Sequence, residues 1–131
     1  MKSLLPPRWP RPKGYSNGIS ARGRTIFTAG VIGWNEREQF AAEDLPGQFR
    51  QVLINILAIL AEDGAGPEHI VRMTWYVTDI AEYRASLAGI GAAYRDLIGR
   101  HFPAMAVVQV SALVEPKAKI EIEATAVVPE P

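Results

Sequence analysis

A chain of 131 residues, 48% hydrophobic and 21% charged, has the make-up of one globular domain and the length to bury a core without staples. Its 14 basic and 14 acidic residues cancel, so no net charge draws it towards nucleic acid or an anionic membrane, and a neutral surface does little to oppose self-association. The absence of cysteine excludes disulfides, thiolate nucleophiles and thiolate metal sites.

Residues 1–14 read as a proline-rich arm ahead of a single domain over 15–131. Pro6, Pro7, Pro10 and Pro12 fix φ and remove backbone donors, which gives extended chain rather than helix. Leu4 and Leu5 are too few for the core of a signal peptide. No apolar run approaches the ~18 residues of a membrane helix, so a cytoplasmic protein is expected. From Tyr15 to Trp34 the pattern is β, with a turn signal at Ala21-Arg22-Gly23-Arg24 and then the run Thr25-Ile26-Phe27-Thr28. Gly30 and Gly33 interrupt that second strand. A twisted strand end, a bulge, or the close approach of a ligand or second backbone would each account for them.

Apolar residues at 45, 49, 52, 53, 56, 57 and 60 follow the spacing of an amphipathic helix, with Asp44 before it, Pro46 in its first turn and Gly64 beyond its end. After the loop GAGPEH, the segment IVRMTWYVTD predicts a strand apolar enough to be covered on both faces. Asp79 and Glu82 have the spacing of a capping box opening a second helix, whose stripe is Tyr83, Leu87, Ile90, Tyr94, Leu97 and Ile98. HFPAMAVVQVSAL predicts another strand. In KIEIEATAVV, Lys119, Glu121, Glu123 and Thr125 alternate with Ile120, Ile122, Ala124 and Ala126, so one face is apolar. The order β-β-α-β-α-β-β predicts an α+β domain in which two helices cover one face of a single mixed sheet.

Chemistry-bearing residues are few. His69 and His101 are each isolated at an element junction, with no second ligand at metal spacing, so no metal and no cofactor are expected. Glu121 and Glu123 point to the same face of a strand. On a solvent face they are solubilising charges. In a cleft, a partly desolvated glutamate can hold water or move a proton. The pattern leaves both readings open.

Taken in order, KGYSNGI, IFTAGVIG, FPAMAVVQV and KIEIEATAVV resemble the RidA family (YjgF-type or L-PSP proteins), small enamine/imine deaminases, over almost the whole stretch from Tyr15 to Val128. The resemblance implies a chorismate-mutase-like fold and a homotrimer binding a small molecule in clefts between subunits, without nucleic acid or membrane as partner. It makes Glu121 the counterpart of a glutamate that positions water near the substrate. Tyr15 matches a cleft-lining tyrosine, and Gly30 a point where backbone approaches the bound acid. Met105 departs from the pattern: deaminating members carry there an arginine whose planar fork clamps the substrate carboxylate. Gly91 departs too, where many members have a polar side chain.

A site walled by Met105, Val107 and Phe27 implies a larger or less charged substrate than the usual 2-imino acids, with a 2-aminomuconate-like compound as one candidate. Arg8, Arg11, Arg72 and Arg100 are the candidates for a substitute cation. A non-catalytic, metabolite-binding trimer is the alternative that the methionine favours. Ribonuclease activity, attributed to some relatives, finds no phosphate track and no histidine pair here.

Overall fold

The apolar stripe of residues 45–60 becomes α1 (Leu45–Ala61) in the computed structural model, which describes residues 1–131. Leu45, Phe49, Val52, Leu53, Ile56 and Leu60 are its buried face and the centre of the core. Pro46 sits in the first turn as expected, while the Asp44 side chain caps nothing. Beyond the helix end Gly64 takes φ 74°, the left-handed conformation that lets the chain turn back. Its N–H donates to the Ala61 carbonyl, and that of Ala65 donates to Leu60.

The second helix is two. α2 (Ile80–Ala85) ends where the Ser86 N–H donates to the Tyr83 carbonyl, and α3 (Leu87–Leu97) starts afresh from it. Serine and the following Gly89 and Gly91 hold a helix weakly, so packing decides the path. A β-carbon on Gly89 would lie 3.0 Å from the ring of Pro46, which shows how closely α3 approaches the start of α1. The capping box is only half made. The Asp79 carboxylate accepts from the Ala81 and Glu82 N–H groups, but Glu82 pairs with Lys119 at 2.7 Å instead of reaching back.

Two short strands, β1 (Lys2–Ser3) and β2 (Ile19–Ser20), form a separate antiparallel ribbon that ties the arm to the body. The first predicted strand therefore stands outside the main sheet and meets it through the bridge Ser16–Ala104. The main sheet contains β3 (Arg24–Phe27), β4 (Val31–Ile32), β5 (Ile70–Val77), β6 (Ala104–Gln109) and β7 (Ile120–Val128). Its order is β3-β7-β5-β6, with β4 pairing β7 beyond the end of β3. β6 runs parallel to β5 and every other pair is antiparallel.

Both glycines of the interrupted strand mark close approaches. The break between β3 and β4 lets Thr28 Oγ1 accept from the Ala124 N–H, and a β-carbon on Gly33 would lie 2.7 Å from the Gln48 carbonyl of α1. The helices all lie on one face of the sheet, built from Ile70, Met73, Trp75, Val77, Ile120, Ile122, Ala124 and Ala126. Within one chain β5 is covered on one face only. Its residues alternate, and Arg72, Thr74 and Tyr76 stand on a face that no helix of the chain covers. No helix is long and apolar enough to cross a membrane.

Candidate functional site

A cleft of about 590 Å³ opens between the helix-facing side of β6 and the helices α2 and α3. Alternation along β6 sends Met105 and Val107 into it, and Trp75 of the neighbouring β5 forms part of its lining. Leu87, Ile90 and Tyr94 of α3 and Tyr83 of α2 line the other side. This explains the one residue of the second helical stripe that is not covered: Leu87 is 53% exposed because it borders the cleft.

The chain before β2 is fastened here by two hydrogen bonds. The Ser16 N–H donates to the Pro103 carbonyl at 3.0 Å and its hydroxyl to the Phe102 carbonyl at 2.5 Å, which leaves Tyr15 at the mouth. Phe102 stacks on Tyr94 with ring centres 5.7 Å apart, and the Tyr94 hydroxyl donates to the His101 carbonyl at 2.5 Å. Burial raises the pKa of Tyr83 and of Tyr94, so both phenols are neutral donors rather than bases. His101 faces the Ile70 carbonyl at 2.6 Å and His69 accepts from the Gly66 N–H at 2.9 Å, so each histidine is engaged with backbone.

The polar equipment of the cleft is sparse. Lys13 and Arg95 are its charged lining residues, and neither is paired with a carboxylate. Arg95 lies one helical turn beyond Gly91, and its Nη1 is 3.6 Å from where a Gly91 β-carbon would be. The missing side chain at 91 thus leaves open the space beside the guanidinium. The Nε1 of Trp75 is buried without a hydrogen-bond partner.

Glu121 and Gly30 are brought together elsewhere. They line a hollow of about 690 Å³ at the β4 side of the sheet, bordered by Asn55 and Ala58 of α1. A β-carbon on Gly30 would lie 2.5 Å from Glu121 Oε2, so glycine leaves the room that the carboxylate occupies. Glu123 is committed differently: the Tyr76 hydroxyl donates to it at 2.7 Å, and that bond raises the tyrosine pKa.

Within one chain, then, the residues expected at the site occupy three places. Tyr15, Met105 and Val107 share the cleft, and Gly30 and Glu121 share the second hollow. Phe27, 74% exposed, lies on the uncovered sheet face with Arg72, Thr74 and Glu123, and does not wall the same cleft as Met105. Of the candidate substitute cations, Arg11 and Arg100 line a neighbouring hollow of about 480 Å³ that shares Tyr15 and Phe102 with the cleft. Arg72 is on the other face, and Arg8 sits in the exposed arm. Sequence reasoning missed Lys13, Arg95 and Trp75. The spacing of Gly91 and Arg95 was a readable signal for the second, because residues four apart are neighbours on a helix. Trp75 carries only the alternation of a core residue.

The endoribonuclease L-PSP family model matches residues 9–128. A RutC family protein of Pyrococcus abyssi is 37% identical over 120 residues, covering 89% of each chain. A 2-iminobutanoate/2-iminopropanoate deaminase of Salmonella typhimurium is 36% identical over 117 residues, 86% of each chain. Among solved structures, a protein of the conserved Rid family from Yersinia pestis superposes with a TM-score of 0.81 at 34% identity, covering 97% of this chain and 98% of its own. The mixed sheet with its helices on one face is the chorismate-mutase-like fold of such proteins. By sequence over nearly its full length and by fold, the chain belongs to the RidA/YjgF family of L-PSP-type proteins.

Proposed function

We propose that the protein is an imine/enamine deaminase acting as a cytoplasmic homotrimer, with each site completed between two copies. The observation that carries this reading is the division of the site residues: an apolar cleft beside β6 and a glutamate beside Gly30, in separate hollows of one chain. Apposing two copies would join them. The 36% identity to a protein named for imine hydrolysis supports the chemistry.

In that reaction Glu121 holds a water and takes its proton as the oxygen adds to the imine carbon. Glu121 returns that proton to the nitrogen of the carbinolamine, then takes the hydroxyl proton and relays it to the same nitrogen as the C–N bond breaks, so that a carbonyl compound and ammonia leave. Gly30 contributes by leaving the carboxylate its space. Met105 supplies no charge, and the loss of a bidentate carboxylate contact weakens small 2-imino acids by about 1.5–3 kcal/mol. The substrate is therefore something other than these compounds.

The same methionine favours a second reading, a family member that binds a metabolite without turning it over. Ammonia release decides between the two. Purified protein is offered imines generated in situ, from 2-aminoacrylate-type compounds to the 2-imino acid of phenylalanine, and 2-aminomuconate. Release above the uncatalysed rate, abolished by Glu121→Ala, is expected. No release with any of them would overturn the enzyme reading, and full activity in Glu121→Ala would remove the water-holding role.

A further inference from the structure

The lining of the cleft combines two chemistries, and together they describe a ligand. Its walls are apolar and aromatic, contributed by Tyr83, Ile90, Tyr94, Met105 and Val107, and its volume of about 590 Å³ lies in the range of sites that enclose a drug-sized molecule. The lining contains no carboxylate. Lys13 and Arg95 are both without an acidic partner, and the open space at Gly91 leaves the Arg95 guanidinium accessible beside the cleft.

One of the lining residues, Trp75, has an indole N–H with no partner. Trp75 is only 3% exposed, and its Nε1 is the buried side-chain polar atom of this molecule that lacks a hydrogen bond. Such a donor is a standing penalty in a folded chain, and an acceptor brought by a ligand relieves it. The N–H is shut off from water as the cleft stands, so an acceptor reaches it when a flexible wall side chain gives way. Met105, unbranched and with three rotatable bonds, is suited to that.

We propose that the cleft selects an acid with a single carboxylate and a large apolar or aromatic body. The carboxylate lies at Arg95 and Lys13, the body lies over Met105 and Val107, and a second acceptor on the ligand takes the Trp75 N–H. A second carboxylate would sit unpaired against Ile90 and Val107, which argues against dicarboxylates. Arg95 thereby does from α3 what an arginine at position 105 would do from β6, and Trp75 becomes a specificity-determining residue. This rests on the cleft being the substrate side of the proposed deaminase site, but its test does not require turnover.

Phenylpyruvate and pyruvate, the 2-oxo acids that imine hydrolysis would yield from a large and a small substrate, serve as probes. Nitrogen-15-labelled protein gives indole N–H signals for Trp9, Trp34 and Trp75, with Trp75→Phe identifying the third. Titrated phenylpyruvate is expected to move the Trp75 signal beyond the other two, while pyruvate at the same concentration leaves it in place. Trp75→Phe is expected to weaken phenylpyruvate about five-fold, and Arg95→Gln, at an exposed position, about ten-fold with unchanged melting temperature. Trp9→Phe and Trp34→Phe assign the other two signals and leave that of Trp75 by elimination, so a poorly folded Trp75→Phe does not remove the test. Equal binding of the two acids, binding that leaves the Trp75 signal unmoved, or no binding of phenylpyruvate would each overturn the proposal. Binding at Trp75 in a protein that releases no ammonia from any imine would instead keep it and overturn the deaminase reading.

Discussion

Met105 concentrates the question of activity because its neighbours decide what its replacement can do. It faces the cleft with Val107 and lies level with Met73 of β5, so an arginine there would project into the same space. A bidentate contact to a carboxylate contributes about 1.5–3 kcal/mol, which is roughly ten- to hundred-fold in kcat/KM. Met105→Arg is expected to raise ammonia release from small 2-imino acids by that factor; an unchanged rate would mean that more than the clamp has diverged. Tyr94 offers a separate test at this scale. Burial raises its pKa above the ordinary 10.0, so the folded chain holds the phenolic proton more tightly than the unfolded chain does. The associated stability is fully present below about pH 10 and is lost as the pH climbs above it. Tyr94→Phe is expected to cost about 0.5–1.5 kcal/mol at neutral pH, through loss of the bond to the His101 carbonyl, and to flatten the alkaline decline. Denaturant midpoints measured at neutral pH and above the phenol's ordinary pKa check both halves of the expectation.

Secondary-structure elements were legible in proportion to how local their causes are. The stripe of α1 and the alternation of β7 follow from side-chain period, and the buried residues that the pattern does not mark are Val127 and Gln48, whose amide bonds the backbone of Lys117 and Lys119. The break at Ser86 was not legible, because the apolar stripe runs through it, and the close approach of Gly89 to Pro46 that accompanies it joins residues far apart in sequence. The apolar look of β5 reports how much a strand can bury, not how many layers one chain supplies, and here the chain supplies one. Gly30 and Gly33 looked alike in sequence, yet they carry different loads. At Gly33 an added β-carbon meets the backbone of α1 at 2.7 Å, and a helix backbone cannot yield cheaply. Gly33→Ala is expected to cost about 1–3 kcal/mol, the usual penalty of overpacking. At Gly30 the obstacle is the end of the Glu121 side chain, which can swing aside. Gly30→Ala is expected to stay within about 0.5 kcal/mol in stability while ammonia release falls. Urea denaturation of the two variants separates them; equal destabilisation would contradict the distinction.

At the scale of the whole molecule, the uncovered sheet face and the split site raise the same issue. One face of the sheet carries Phe27 at 74% and Val108 at 42% exposure beside Thr74 and Tyr76, with no helix over it. β3 and β6 are the strands at the two ends of the sheet path. A chain with neutral net charge has little electrostatic reason to keep such surfaces apart, and association of copies would cover them. If each site draws its cleft from one copy and Glu121 from the next, two inactive variants should rescue each other. Tyr15→Ala removes the aromatic residue at the cleft mouth, and Glu121→Ala removes the water-holding group, so each pure variant lacks one part at every site. In trimers reassembled from an equal mixture, an intact cleft meets an intact glutamate at about a quarter of the interfaces. About a quarter of the wild-type ammonia release is therefore expected from the mixture, against almost none from either variant alone. A site contained within one chain predicts no recovery at any mixing ratio, because every copy would carry its own defect.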